Sequence, residues 1–201
     1  MGEFAGQYGL EAGPVAEVTA ITHRKDAMFY SILAGRNPEH NTLGSIATFS
    51  IRRALLDALR SQLTGVIDIN FFLETRMGAM GHIVMSMRKQ NDSEPMALIE
   101  AAFRAAGGFF PVSQITKRII VVDEDVNVHD LADVEWAIYS RIARADKYRV
   151  IPDVKSWNVE RCAKGEKGSL RLAIDATMDI EDRARLLRPV IPGASGIRLA
   201  D

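Results

Sequence analysis

Apolar positions along this chain fall into two recurring patterns: short unbroken β-branched runs, and stripes at three- and four-residue steps. Residues 117–142 contain both. Ile119 to Val122 is a continuous apolar run, as expected of a strand covered on both faces in a sheet flanked by helices. Asp123, Glu124 and Asp125 follow at its carboxyl end, the edge where open α/β sheets place their ligands. Asp130 then stands ready to cap a helix whose apolar positions are Leu131, Val134, Ile138 and Ile142.

The same patterns predict the other elements. Residues 15–22 and 28–33 read as two strands around the polar turn at 23–26, a hairpin. Residues 35–41 read as a loop, and 49–63 as a helix with Ile51, Leu55, Leu59 and Leu63 on one face. Strands are expected at 65–72 and, from its alternation, at 82–88, with a small-residue loop at 74–81 between them. Asp92 or Ser93 can cap a helix carrying Met96, Ile99, Ala102 and Phe103, ended by Gly107 and Gly108. A last short strand at 148–151 is expected to stop at Pro152, after which polar and glycine-rich residues lead to 170–175, and a short terminal helix is expected at 181–187. Residues 1–14, with Gly2, Gly6, Gly9, Gly13 and Pro14, have linker composition. The fold class is α/β, a mixed sheet flanked by helices, because helices of this length bridge strands too apolar to face water. The expected division is a linker-like start at 1–14, an α/β domain at 15–178 and a tail at 179–201.

Composition narrows the possibilities. With 201 residues and 47% hydrophobic content, the chain can bury one good core. A net charge of −1 gives no global reason to expect nucleic acid or an anionic membrane as partner. Cys162 is the single cysteine, which excludes an intramolecular disulfide and a cysteine-based zinc site and suits a reducing cytoplasm. No signal peptide or spanning helix is visible.

Several groupings could carry chemistry. Asp123, Asp125, His129 and Asp130 resemble a hard-cation site, but lack the glycine and glutamate of an EF-hand, so no metal is expected there. His23, Arg24 and Lys25 could hold an anion, although a solvated hairpin turn is the more ordinary explanation. Glu39 and His40 fall in a loop, and His82 opens a strand. The glycines match no phosphate-cradling motif.

Three segments in register resemble the UbiD-like decarboxylases: residues 17–26 (EVTAITHRKD), 117–130 (KRIIVVDEDVNVHD) with 133–137 (DVEWA), and 174–177 (IDAT). The resemblance is to the carboxyl-terminal portion of the family and covers most of residues 3–178. It implies reversible decarboxylation of aromatic, heteroaromatic or unsaturated acids with prenylated FMN, a divalent metal and potassium holding the cofactor phosphate. Gly2-Glu3 matches the end of the family's Glu-Gly-Pro-x-Gly-Glu motif, which makes Glu3 the counterpart of its proton donor. The first glutamate, the arginine and the metal ligands have no counterpart here. The isolated chain is therefore expected to be inactive and to bind no flavin alone, because an exposed carboxylate with an ordinary pKa is a poor general acid at neutral pH.

Phe71, Phe72, Met77, Met80, Phe109, Phe110 and Pro111 lie in or beside turns, where they are expected to be exposed and to contact another protein. The resemblance implies self-association, as a dimer or hexamer, and contact with a flavin-binding domain or subunit. Residues 181–201 are then expected to pack on a neighbour. A non-catalytic assembly module with the same fold is the other role compatible with these residues.

Overall fold

In the computed structural model, which describes residues 2–4, 7–9, 12–31, 38–72, 81–107, 110–157, 160–163, 168–189 and 192, the run at 119–122 is buried on both faces, as its composition requires. The elements in order are β1 (Gly2–Phe4), β2 (Gln7–Gly9), α1 (Pro38–Arg60), β3 (Val66–Phe71), β4 (His82–Met87), α2 (Glu94–Arg104), β5 (Ala106–Gly107), β6 (Phe110–Pro111), α3 (Val112–Ile115), β7 (Arg118–Asp123), α4 (Leu131–Arg141), β8 (Tyr148–Val154), β9 (Ser169–Ala176) and α5 (Arg183–Leu186). The main sheet has the order β3-β4-β7-β9-β8. Its three central strands, β4, β7 and β9, run parallel, with β3 and β8 antiparallel at the edges.

Alternate residues of the central strands feed two cores. Ile83, Met85, Met87, Ile119 and Val121 pack with Leu55 and Leu59 of α1 and Leu98, Ile99 and Phe103 of α2. Val84, Ile120, Val122, Ile174 and Ala176 pack with Val134 and Ala137 of α4. Parallel neighbours need long crossovers, and α2 and α4 supply them. Asp130 caps α4 as its position predicts, accepting from the Ala132 amide at 2.9 Å.

Four expectations are corrected. Residues 12–31 contain no strand: Val15 is 99% exposed, Met28 93% and Phe29 94%, so a β-prone sequence has no sheet to join. β-Propensity measures fit to a pleated surface, and here none is offered. Helix α1 begins at Pro38, inside the expected loop, and proline at the first helical position loses no hydrogen bond. Strand β4 is buried along its whole length rather than on alternate residues, because it is central in the sheet. Strand β8 runs through Pro152 to Val154, which an edge strand tolerates.

Beside that proline the backbone departs from the ladder: Asp153 has φ 55° and the pairing with β9 shifts between Ile151 and Val154. Gly168, at φ 63°, faces this irregularity, and a Cβ there would stand 2.0 Å from the Val154 carbonyl oxygen. At the opposite edge, Arg60 donates from Nε to the Val66 carbonyl at 3.1 Å, and its guanidinium also reaches the Ile67 carbonyl. Within the opening of linker composition, β1 and β2 form a two-stranded antiparallel ribbon.

Phe71 and Phe72 are 5% and 2% exposed and belong to the core, contrary to expectation. Met77, Met80 and Phe109 lie outside the described residues, as do the side chains of Phe110 and Pro111. The described start of the tail is tied to its own chain. Arg188 pairs with Asp133 and lies 3.7 Å over the Trp136 ring, and Ile180 N donates to Asp92 at 3.2 Å. No described helix is long and apolar enough to cross a membrane.

Candidate functional site

The carboxyl ends of β4, β7 and β9 carry a dense charged network. Asp123, 3% exposed, accepts from the Met178 amide at 2.7 Å and from Arg141 at 3.1 Å. Arg141 also holds Asp125 through two contacts, at 2.9 and 2.6 Å, in the bidentate geometry that suits guanidinium and carboxylate. Lys89 donates to the Thr177 hydroxyl at 2.8 Å, and Lys147 donates to the Thr177 carbonyl at 2.6 Å and pairs with Asp179 at 3.0 Å. Burial pushes the Asp123 carboxyl above its usual range, against the pull of the Met178 amide and Arg141.

Asp123, Asp125, His129 and Asp130 therefore do not converge. His129 turns to β3, where its Nε2 lies 2.9 Å from Asp68, which Arg52 of α1 holds at 2.7 Å. Asp130 is spent on its cap. Among the described residues, no three His, Cys, Asp or Glu side chains gather as a metal ion requires. The carboxylates of this edge are matched by cations of the same chain, so they do not fit the phosphate-bridging metal of a flavin.

His82 is neither exposed nor free. It is 1% exposed, its ring tilted against that of Phe72 with centroids 5.2 Å apart, and the Arg118 guanidinium lies 3.1 and 3.0 Å from its two ring nitrogens. Burial and the adjacent guanidinium push its pKa down to about 3. Only the neutral ring offers a lone pair to Arg118. A histidine held neutral in the fold binds its proton in the unfolded chain first, so stability is intact above about pH 6.5 and is lost as pH falls towards 3. The expected slope is up to about 1.4 kcal/mol per pH unit, and His82→Gln should flatten it, measured by urea titration at stepped pH.

His23, Arg24 and Lys25 sit in the exposed segment at a turn, with the His23 Nδ1 2.6 Å from the Arg24 carbonyl. Glu39 and His40 belong to α1 rather than to a loop. The backbone of Glu3 lies in β1, opposite Tyr8 of β2; its side chain lies outside the described residues.

What the described residues leave unsatisfied is apolar surface. Besides residues 15–30, α1 exposes Leu43 (49%), Ile46 (69%) and Phe49 (77%), a stripe at three-residue spacing turned away from core residues Leu55 and Leu59. That spacing is visible in the sequence, but Leu43 and Ile46 precede the expected helix, which Phe49 only opens.

Comparison with known proteins gives these features a family. The profile of the 3-octaprenyl-4-hydroxybenzoate carboxy-lyase C-terminal domain matches residues 45–176. An uncharacterized protein of Archaeoglobus fulgidus is 29% identical over 183 residues, 90% of this chain and 36% of its own length. The UbiD-class enzyme HmfF from Pelotomaculum thermopropionicum, solved with FMN, superposes with a TM-score of 0.71 and 28% identity over 96% of this chain and 42% of its own. Vanillic acid decarboxylase from Sedimentibacter hydroxybenzoicus, in its open form, shares the fold at a TM-score of 0.60 and 18% identity, covering 73% of this chain and 30% of its own. The chain spans well under half the length of each. With the profile covering most of the folded body, the chain belongs to the UbiD-like family and corresponds to its carboxyl-terminal portion.

Proposed function

We propose that this chain is the carboxyl-terminal, active-site-completing and oligomerising part of a UbiD-like reversible decarboxylase acting on aromatic or unsaturated carboxylic acids in a reducing cytoplasm. The observation that carries this reading is the exposed apolar segment at 15–30, joined to a body that matches a UbiD-class enzyme solved with FMN. An extended β-prone segment with none of the described residues packed over it is a half-made interface, and edge-strand addition is the ordinary way to complete one.

The prenylated FMN, with its divalent metal and potassium, falls to the flavin-binding region, since Asp123 and Asp125 are already held by Arg141 and no three metal-ligating side chains gather among the described residues. The flavin supplies the carbanion-stabilising chemistry. This chain's part is to exclude water, orient the docked region and deliver a proton from Glu3, whose ribbon fixes its backbone opposite Tyr8. Self-association is supported by an evolved dimeric form of HmfF among the structural relatives; a dimer and a hexamer are the two assemblies proposed for this chain.

Combining the chain with a flavin-loaded flavin-binding region and measuring carbon dioxide release tests the proposal. Turnover is expected only from the assembled pair, and Glu3→Gln should abolish it while sedimentation shows assembly intact. Assembly without turnover in the unaltered protein would assign the chain the non-catalytic role, and a compact monomer that ignores the flavin-binding region would remove the proposal.

A further inference from the structure

At the amino-terminal edge of the parallel strands, opposite the acidic network, Lys117 and Cys162 meet. Lys117 Nζ donates directly to Cys162 Sγ at 3.6 Å. The thiol donates to Glu160 Oε1 at 3.2 Å, and the same oxygen receives the Lys117 ammonium, which also donates to the Ser169 hydroxyl. Glu160 is held from behind by Arg171, 3.3 Å from its other oxygen, with both of these side chains fully buried. Cys162 itself is exposed, on an open cleft of about 480 Å³ that Lys117, Asp153, Gly168 and Ser169 also line. A thiol accessible to a small oxidant, an amine in contact with it and a carboxylate touching both are thus assembled on a rigid base.

We propose that Lys117 and Cys162 form a peroxide-driven covalent clasp, a sulfenamide between Nζ and Sγ. Hydrogen peroxide first transfers one oxygen to sulfur: the O–O bond breaks, an S–O bond forms, and Cys162 becomes a sulfenic acid with release of water. Lys117 loses a proton to solvent by way of Glu160, and its lone pair then attacks sulfur. The S–N bond forms as the S–O bond breaks, and hydroxide leaves as water with the second amine proton. In sum, thiol, ammonium and peroxide give sulfenamide, two waters and a proton; sulfur is oxidised by two electrons and the peroxide is reduced. The clasp ties the connection between β8 and β9 to the start of β7 and shields Cys162 from irreversible oxidation. Added thiol reverses it.

The test treats the whole chain with hydrogen peroxide, then digests it and weighs the peptides. A peptide joining Lys117 to Cys162, lighter than the sum of its parts by two hydrogens and released by dithiothreitol, is expected. Lys117→Arg keeps the charge but should stop Cys162 at the sulfenic acid, raising labelling by a sulfenic-acid-specific dione severalfold over the unaltered protein. Cys162→Ser should give no joined peptide. Equal labelling of the two lysine-position forms, no joined peptide, or a joined peptide that retains the peroxide oxygen would each overturn the proposal.

Discussion

Replacing Arg141 with alanine is expected to cost about 3–5 kcal/mol of folding stability, the usual penalty for leaving a buried charge without its partner. The Arg141 side chain is 1% exposed and stands between Asp123 and Asp125, with the Trp136 ring 5.0 Å from its guanidinium. Without it, Asp123 keeps only the Met178 amide and the more distant field of Lys89. The penalty should depend on pH in a definite direction. Burial already holds the Asp123 carboxyl above its ordinary value, so its charged form opposes folding at neutral pH, and removing Arg141 raises it further. The difference between the unaltered and Arg141→Ala proteins should therefore shrink as the solution is acidified from neutral pH. Paired urea titrations would show this, and a difference independent of pH would place the loss in packing instead.

A loss of similar size, about 3–5 kcal/mol, is expected for Glu160→Ala. Arg171 is the largest fully buried side chain, and its remaining partners would be the carbonyls of Ser113, Leu170 and Gln114, which carry no net charge to offset it. Burial lifts the Glu160 carboxyl, but hydrogen bonds from Lys117, Ser169 and Cys162, together with the Arg171 charge, outweigh that and hold it below its ordinary 4.5. Its contribution is thus fully present above that value and is lost as pH falls through the lower, folded one. Glu160→Gln, which keeps the shape and an accepting oxygen, should lose less than alanine. Thermal melts of the two variants at neutral pH measure the gap.

Strand β7 and helix α4 were legible because their residues answer only to local and two-sided burial demands. Ile119 to Val122 allow few alternatives to a covered strand, and Asp130 sits where a cap must. What the chain does with residues 15–30 was not legible. Their pattern is that of strands, yet pairing needs a neighbour that the described residues do not supply. Phe71 and Phe72 were misread for the opposite reason: nearness to a turn suggested exposure, while the strand they end is buried by its neighbours. The role proposed for Glu3 rests on its motif alone. Nothing in periodicity distinguishes Glu3 from any other acidic residue, and no sequence spacing announces that Lys117, Glu160, Cys162 and Ser169 share one corner. That corner is assembled by the parallel pairing of β7 with β9.

A protein that leaves a long oily ribbon uncovered invites stacking into fibres, yet the flanks of this sheet resist open-ended growth. On β8, Pro152 has no amide hydrogen to offer an incoming chain, and the left-handed Asp153 beside it breaks the flat template that a growing fibril copies. On β3, the Arg60 guanidinium already occupies two carbonyls and places a positive charge where a like sheet would land. Both described edges of the body thus discourage open-ended pairing, while the apolar side chains of residues 15–30 remain exposed among the described residues.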